Sequence, residues 1–202
     1  MSKLILYSIA FITGFAIMGY EILGARTLFP IYGNSIYVWG AIISVFLAGL
    51  SIGYAAGGRL ADRQSDILTL SRIILIPTIL IVLFPYYGPS LCKRFEVLSL
   101  DPRLGSLLIS AILFIMPCVF MGSVIPVIVK MLATDNSRIG SAAGNVYSIS
   151  TAGSIAGTLF TSFFLISWLP VHKGIQLTGL ILASCWFLCL TYHQMNKKQD
   201  GA

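Results

Sequence analysis

The stretch LGSLLISAILFIMPCVFMGSVIPVIVKML, residues 104–132, carries a single formal charge, Lys130, and two prolines, Pro117 and Pro126. About 20 predominantly apolar residues cross the hydrocarbon core of a bilayer as a helix. A stretch this long and this poor in charge therefore reads as a transmembrane helix, and its prolines imply that neighbours or cavity water satisfy the freed backbone groups. Outward from it, the same signature recurs at about 4–23, 36–58, 67–86, 142–168 and 174–192. Pro30 stops the first span, because proline lacks an amide hydrogen and disfavours helix before it. Tyr37 and Trp39 open the second as interfacial aromatics, and Pro77 lies within the third. The expectation is an all-α integral membrane protein, one domain of six transmembrane helices over residues 1–202. Between spans three and four, Leu91, Phe95 and Leu98 recur at helical spacing opposite Lys93, Arg94 and Glu96, as in a short helix lying on the membrane surface.

Composition agrees with lipid as the solvent. Of 202 residues, 57% are hydrophobic and 10% charged, with a mean hydropathy of +0.90, against about 25% charged residues in soluble domains. The formal charge of +6 does not indicate nucleic acid, because the thirteen Lys and Arg are scattered singly between apolar runs. They read as topology signals. With the N-terminus in the cytoplasm, Lys3, Arg59, Arg63, Arg72, Lys130, Arg138, Lys197 and Lys198 lie inside and Arg26, Lys93, Arg94, Arg103 and Lys173 outside, so both termini are expected to be cytoplasmic. The apolar run after Lys3 continues through Leu23 without a small-x-small cleavage site and is expected to be a retained helix. Cys118, Cys185 and Cys189 lie in spans and Cys92 in a loop, with no CxxC pair; His172 and His193 stand at opposite ends of the last helix. No metal or cofactor is expected.

Few residues can carry chemistry. Glu21 is the acid nearest the hydrocarbon core, where an ionised carboxylate needs a partner or water. It can clasp Arg26, five residues on, or bind a cation or carry a proton. Gly49, Gly53 and Gly57 make a smooth stripe on the second span, where another helix can approach closely. On the fifth, Gly140 with Gly144 and Gly153 with Gly157 fall on opposite sides, since nine residues at 100° each separate Gly144 from Gly153, so this helix is expected between two neighbours. Its polar residues, Asn145 and Tyr147 among them, can line a cavity with Trp39 or hydrogen-bond between helices. Arg59, Asp62 and Arg63 follow the second span, and with Arg72 they can form a charge network that ties helix ends or opens in a conformational change. There is no GxGxxG after a strand, Walker loop, HExxH or nucleophile elbow, so these residues are not expected to be an enzyme of the soluble type by themselves.

The run Glu21-x4-Arg26-x3-Pro30-x2-Gly33-x-Ser35-x3-Trp39, the segment Gly57-Gly58-Arg59-Leu60-Ala61-Asp62-Arg63, and the later Met121-Gly122-x3-Pro126 and Gly140-x3-Gly144-x2-Tyr147-x5-Gly153-x3-Gly157 together resemble the membrane domain of bacterial membrane-bound spermidine synthase homologues, the fused MFS/spermidine synthase family. The resemblance implies a half-facilitator-like bundle in a bacterial inner membrane, preceding a cytoplasmic Rossmann-like domain that transfers an aminopropyl group to a polyamine. None of the residues of such a domain occurs here, so the resemblance reaches only Glu21, Arg26, Trp39, Arg59, Asp62, Arg63 and Tyr147. It implies a membrane subunit that recruits a separately encoded synthase-like partner at the cytoplasmic face. A structural subunit of a larger membrane complex and a small-molecule transporter working as a homodimer are the other two readings.

Overall fold

The structure, a computed structural model, describes residues 3–98, 100–133 and 139–199, with side chains described as far as residue 194. Arg138, counted above among the inside charges, and the side chains of Lys197 and Lys198 lie outside the described residues. Six helices are long and apolar enough to cross a membrane: α1 Lys3–Tyr32, α2 Ile36–Arg63, α3 Ile67–Val97, α4 Pro102–Leu132, α5 Ile139–Trp168 and α6 Val171–Gln199. The chain is a six-helix membrane bundle, and no strand occurs among the described residues.

Local chemistry sets the helix ends. Gly33, at φ 72°, takes the left-handed conformation that ends α1, and its amide donates to the Phe29 carbonyl. Ser35 then caps α2 by accepting from the Val38 amide at 3.4 Å. Asp66 caps α3 through the Thr69 amide at 2.8 Å. Asp101 caps α4, whose first residue is Pro102, where a missing amide hydrogen is harmless. A π-helical turn at Thr161–Leu165 interrupts α5 near its end.

Three boundaries differ from the sequence reading. The segment Gly57 to Arg63 is the last two turns of α2, so the link to α3 is only Gln64, Ser65 and Asp66. Pro30 lies inside the last turn of α1 instead of stopping it. The short surface helix expected before span four is the end of α3, which runs through Pro85 and Pro89 without a break. The reason is packing: Leu91 and Phe95 join the cluster around Phe84, and the Tyr87 hydroxyl donates to the Leu80 carbonyl at 3.1 Å. Cys92 is consequently a buried helical residue and not a loop residue.

Two helix pairs approach so closely that only glycine fits. A Cβ added at Gly53 would overlap the Val119 carbonyl oxygen, at Gly57 it would lie 2.6 Å from Ser123 Cα, and at Gly122 2.9 Å from the Leu50 carbonyl oxygen. This α2/α4 seam has an equivalent between α5 and α1: Gly153 meets the Phe11 carbonyl, Gly157 that of Phe15, and Gly14 that of Ser150. The register is the same in both. Phe11, Gly14 and Phe15 stand to Ser150, Gly153 and Gly157 as Val119, Gly122 and Ser123 stand to Leu50, Gly53 and Gly57. Residue numbers rise together across each seam, so the paired helices run parallel. By contrast, Gly24 faces Phe114 and Gly105 faces Tyr32, which makes α1 and α4 antiparallel. The halves α1–α3 and α4–α6 are thus related as an inverted repeat, the arrangement on which many transporter folds are built. The remaining close pair is α3 with α6, where Gly179 lies against Val82.

A serine hydroxyl bridges each seam. Ser123 donates to the Gly53 carbonyl at 3.0 Å, and Ser154 to that of Gly14 at 3.3 Å. Between the seams, Tyr20, Phe46, Phe84 and Phe114 form a buried aromatic cluster drawn from α1, α2, α3 and α4, with Tyr20 and Phe114 centroids 5.3 Å apart.

Replacing Gly53 with Leu drives a side chain into the α4 backbone, which cannot yield as a flexible side chain would. The variant is expected to lose upward of ~3 kcal/mol, beyond the usual range for core overpacking. Gly144→Leu, with open space around its Cβ position, is expected to stay within ~0.5 kcal/mol. Thermal melting of both purified variants in one detergent checks the contrast, and equal melting temperatures would contradict the seam.

Candidate functional sites

Glu21 and Arg26 occupy one helix but different surroundings. Five residues at 100° each place them about 140° apart around α1. Glu21 is half-buried. Among the described residues the one ion pair is Lys130 with Asp62, so the clasp between Glu21 and Arg26 does not form. Glu21 is left as an intramembrane acid without an ion-pair partner among the described residues.

Arg26 turns instead to a cavity of about 330 Å³ at the end of the bundle opposite the chain termini. α1 contributes Arg26 and Ile31, α3 contributes Phe84, Lys93 and Glu96, and α6 contributes His172. The extension of α3 past residue 86 builds this cavity, because it carries Lys93 and Glu96 alongside α1 on a continuous helix. His172, at the start of the last helix, completes the lining.

At the terminal end, Asp62 bonds to Lys130 of α4 at 3.1 Å and to none of the arginines beside it. The expected network of Arg59, Asp62, Arg63 and Arg72 therefore does not assemble. Geometry gives the reason: Asp62 lies on the helix that packs against α4, and the α2/α4 seam brings Lys130 alongside it. With the side chains 73% and 49% exposed, a pair of this kind contributes roughly 0–1 kcal/mol. The hydrogen bonds from Thr69 hold the Asp66 carboxyl below its ordinary range against the opposing effect of burial, and the charge of Arg72 adds the smallest share.

Tyr147 lines a second cavity of about 270 Å³ at this end with Asp62, Lys130 and Pro126, and its ring meets Tyr54 edge-on at 6.3 Å. Trp39 is at the far end of the bundle, donating to Asn34 Oδ1 at 2.9 Å and packing edge-on against Phe29. Trp39, Asn145 and Tyr147 are therefore not parts of one cavity, and Asn145 is exposed on α5.

The outer face of α5 is the largest departure from a self-sufficient bundle. In its most apolar stretch 22% of the residues are buried, against 39% to 61% in the other five helices. Gly153 and Gly157 meet α1, but Gly140 and Gly144 have nothing among the described residues within 4 Å of a Cβ position. The helix expected to be sandwiched has one neighbour on its glycine faces and open space on the other. Gly144, Ser148 and Thr151 share that open face, at four- and seven-residue spacing.

Neither a protein-family model, nor a curated protein, nor a solved structure matches this chain.

The Asp66 cap supplies a test of the terminal end. Its folded pKa lies below the ordinary carboxylate value of about 3.9. The stability it contributes is therefore complete above that value and is lost as the pH falls through the folded pKa. Asp66→Ala is expected to cost about 1 kcal/mol at neutral pH, with the difference shrinking under acid. A deficit independent of pH would contradict the role of the carboxylate.

Proposed function

We propose that these residues form a non-catalytic membrane subunit completed by a protein partner seated on the open face of α5. One observation carries the reading: Gly144, Ser148 and Thr151 present small and polar groups where lipid alone would surround them. A lipid-facing helix has no use for such a surface, whereas small residues let another backbone approach and hydroxyls bond across the contact. Neither Ser148 nor Thr151 has a side-chain hydrogen bond among the described residues.

The resemblance to the membrane domain of spermidine synthase homologues gives the partner a chemistry. It is a synthase-like protein on the side of the chain termini, where Arg59, Arg63 and Arg72 are exposed. Any aminopropyl transfer to a polyamine belongs to that partner. The excess of Lys and Arg at this end supports a cytoplasmic orientation for it, and the resemblance implies the inner membrane of a bacterial cell. Where the partner carries no enzyme activity, the chain acts as a structural subunit of a larger membrane complex.

The inverted repeat favours a second reading, a small-molecule carrier in which the partner is another copy of this chain. Facilitator-type carriers join two six-helix halves around a central site, and Glu21 is an intramembrane acid of the kind such sites use. A polyamine is a poor cargo for it, since several positive charges would meet a single acid.

Purification from the native membrane in mild detergent distinguishes these outcomes. The expected result is a stoichiometric second protein that is lost from Gly144→Leu/Thr151→Leu, while the helicity and melting temperature of the chain itself are unchanged. Leucines on a face that only meets lipid would be harmless, so unchanged recovery of the partner from the double variant overturns the reading. A wild-type chain that is monomeric does the same, and a second copy as the partner selects the carrier.

A further inference from the structure

We propose that the cavity at the end opposite the termini binds the phosphate-bearing headgroup of an anionic phospholipid. The inference is independent of what covers α5.

The cavity joins two kinds of wall. Phe84, Ile31 and Val171 line its apolar part, and Arg26, Lys93 and His172 face it with Glu96. Arg26 and Lys93 are basic, exposed, and without an ion pair among the described residues. Glu96 is the one acid in the lining, so the site carries an excess of one positive charge with His172 neutral. Two cations converging on one space with a single carboxylate in its lining are relieved by an anion.

Depth and shape identify which anion. Arg26 lies six residues before the end of α1 and Lys93 four before the end of α3. At 1.5 Å per residue they stand about 9 Å and 6 Å inside the helix ends, the depth of lipid headgroups and the acyl boundary. His172 is the second residue of α6, where the free amides of a long helix add partial positive charge. A free inorganic anion gains nothing from Phe84, Ile31 and Val171, whereas an acyl chain lies against them while its phosphate meets Arg26 and Lys93. Basic pockets between transmembrane helices bind lipid headgroups in this manner. The cavity exists only because α3 continues as one helix to Val97, which holds Lys93 opposite Arg26.

The test uses the full chain, delipidated in detergent and titrated with dioleoylphosphatidylglycerol or dioleoylphosphatidylcholine, with bound lipid counted by native mass spectrometry. The wild-type chain is expected to prefer phosphatidylglycerol. Arg26→Gln/Lys93→Gln is expected to lower that affinity roughly 30-fold, equivalent to about 1 kcal/mol per basic residue. Arg94→Gln removes a neighbouring charge that does not line this cavity and is expected to retain the preference. Glu96→Gln removes the competing carboxylate and is expected to strengthen it, which keeps the test decisive if the double variant fails to fold. Equal affinity for the two lipids, an Arg94→Gln effect as large as that of the double variant, or weaker binding in Glu96→Gln would each overturn the assignment. Inorganic phosphate titrated by calorimetry is expected to show no saturable binding. If it binds with no preference among lipids, the site serves a free anion and the lipid assignment falls.

Discussion

Backbone contact between helices is the constraint from which the architecture follows. Lipid removes the hydrophobic force that joins helices in water, so association depends on close packing and on polar groups shared between helices. Here two seams supply it, Gly53 and Gly57 against α4 and Gly153 and Gly157 against α1. At each, a methyl group would overlap main-chain atoms, and a serine hydroxyl reaches the carbonyl of the opposite helix. Because α2 and α5 lie parallel to α4 and α1, neither pair can be made from sequential neighbours joined by a short turn. The chain must complete a repeat unit before either seam closes, and the inverted relation of the halves follows from the repeated register.

The seams also decide what is left over. α2 and α5 turn Gly53 with Gly57 and Gly153 with Gly157 inside the chain, so their other faces point outward. On α2 that face is mixed, with Ile43, Leu47 and Ile52 exposed beside small residues. On α5 it carries Gly144, Ser148 and Thr151, and the helix buries a smaller share of its apolar stretch than any other. The two ends of the bundle dispose their charges differently. The terminal end pairs Asp62 with Lys130 and caps α3 through Asp66 and Thr69, leaving Arg59 and Arg63 exposed around them, whereas the opposite end gathers Arg26 and Lys93 around a largely apolar space.

The six spans were legible in the sequence because charge depletion over 20 or more residues has no other common cause. The glycine stripes were legible too, as spacing on a helical wheel, but not their partners: nothing in the order Gly49, Gly53, Gly57 says that α4 is the neighbour. Proline misled at Pro30, which read as a stop yet lies within the last turn of α1; α3 likewise runs on through Pro85 and Pro89, where the packing of Leu91 and Phe95 outweighs the lost donors. The ion pairs were misassigned for a related reason. Nearness in sequence suggested Glu21 with Arg26 and Asp62 with Arg63, but the first pair lies on different sides of α1, and Lys130, distant in sequence, reaches Asp62 across the seam. Arg26 and His172 entered the reading separately, and only the continuous α3 brings them to one cavity with Lys93.

Pulsed electron resonance between spin labels tests the parallel pairing of α1 and α5 most directly. With the four native cysteines replaced, labels at Leu4 and Ile139, both exposed near the starts of their helices, are expected to lie within about 25 Å of each other. Labels at Leu4 and Trp168 are expected about 40 Å or more apart, the rise of the 30 residues of α5 being roughly 45 Å. The reverse order, with Trp168 nearer to Leu4 than Ile139 is, would contradict the seam and with it the inverted repeat.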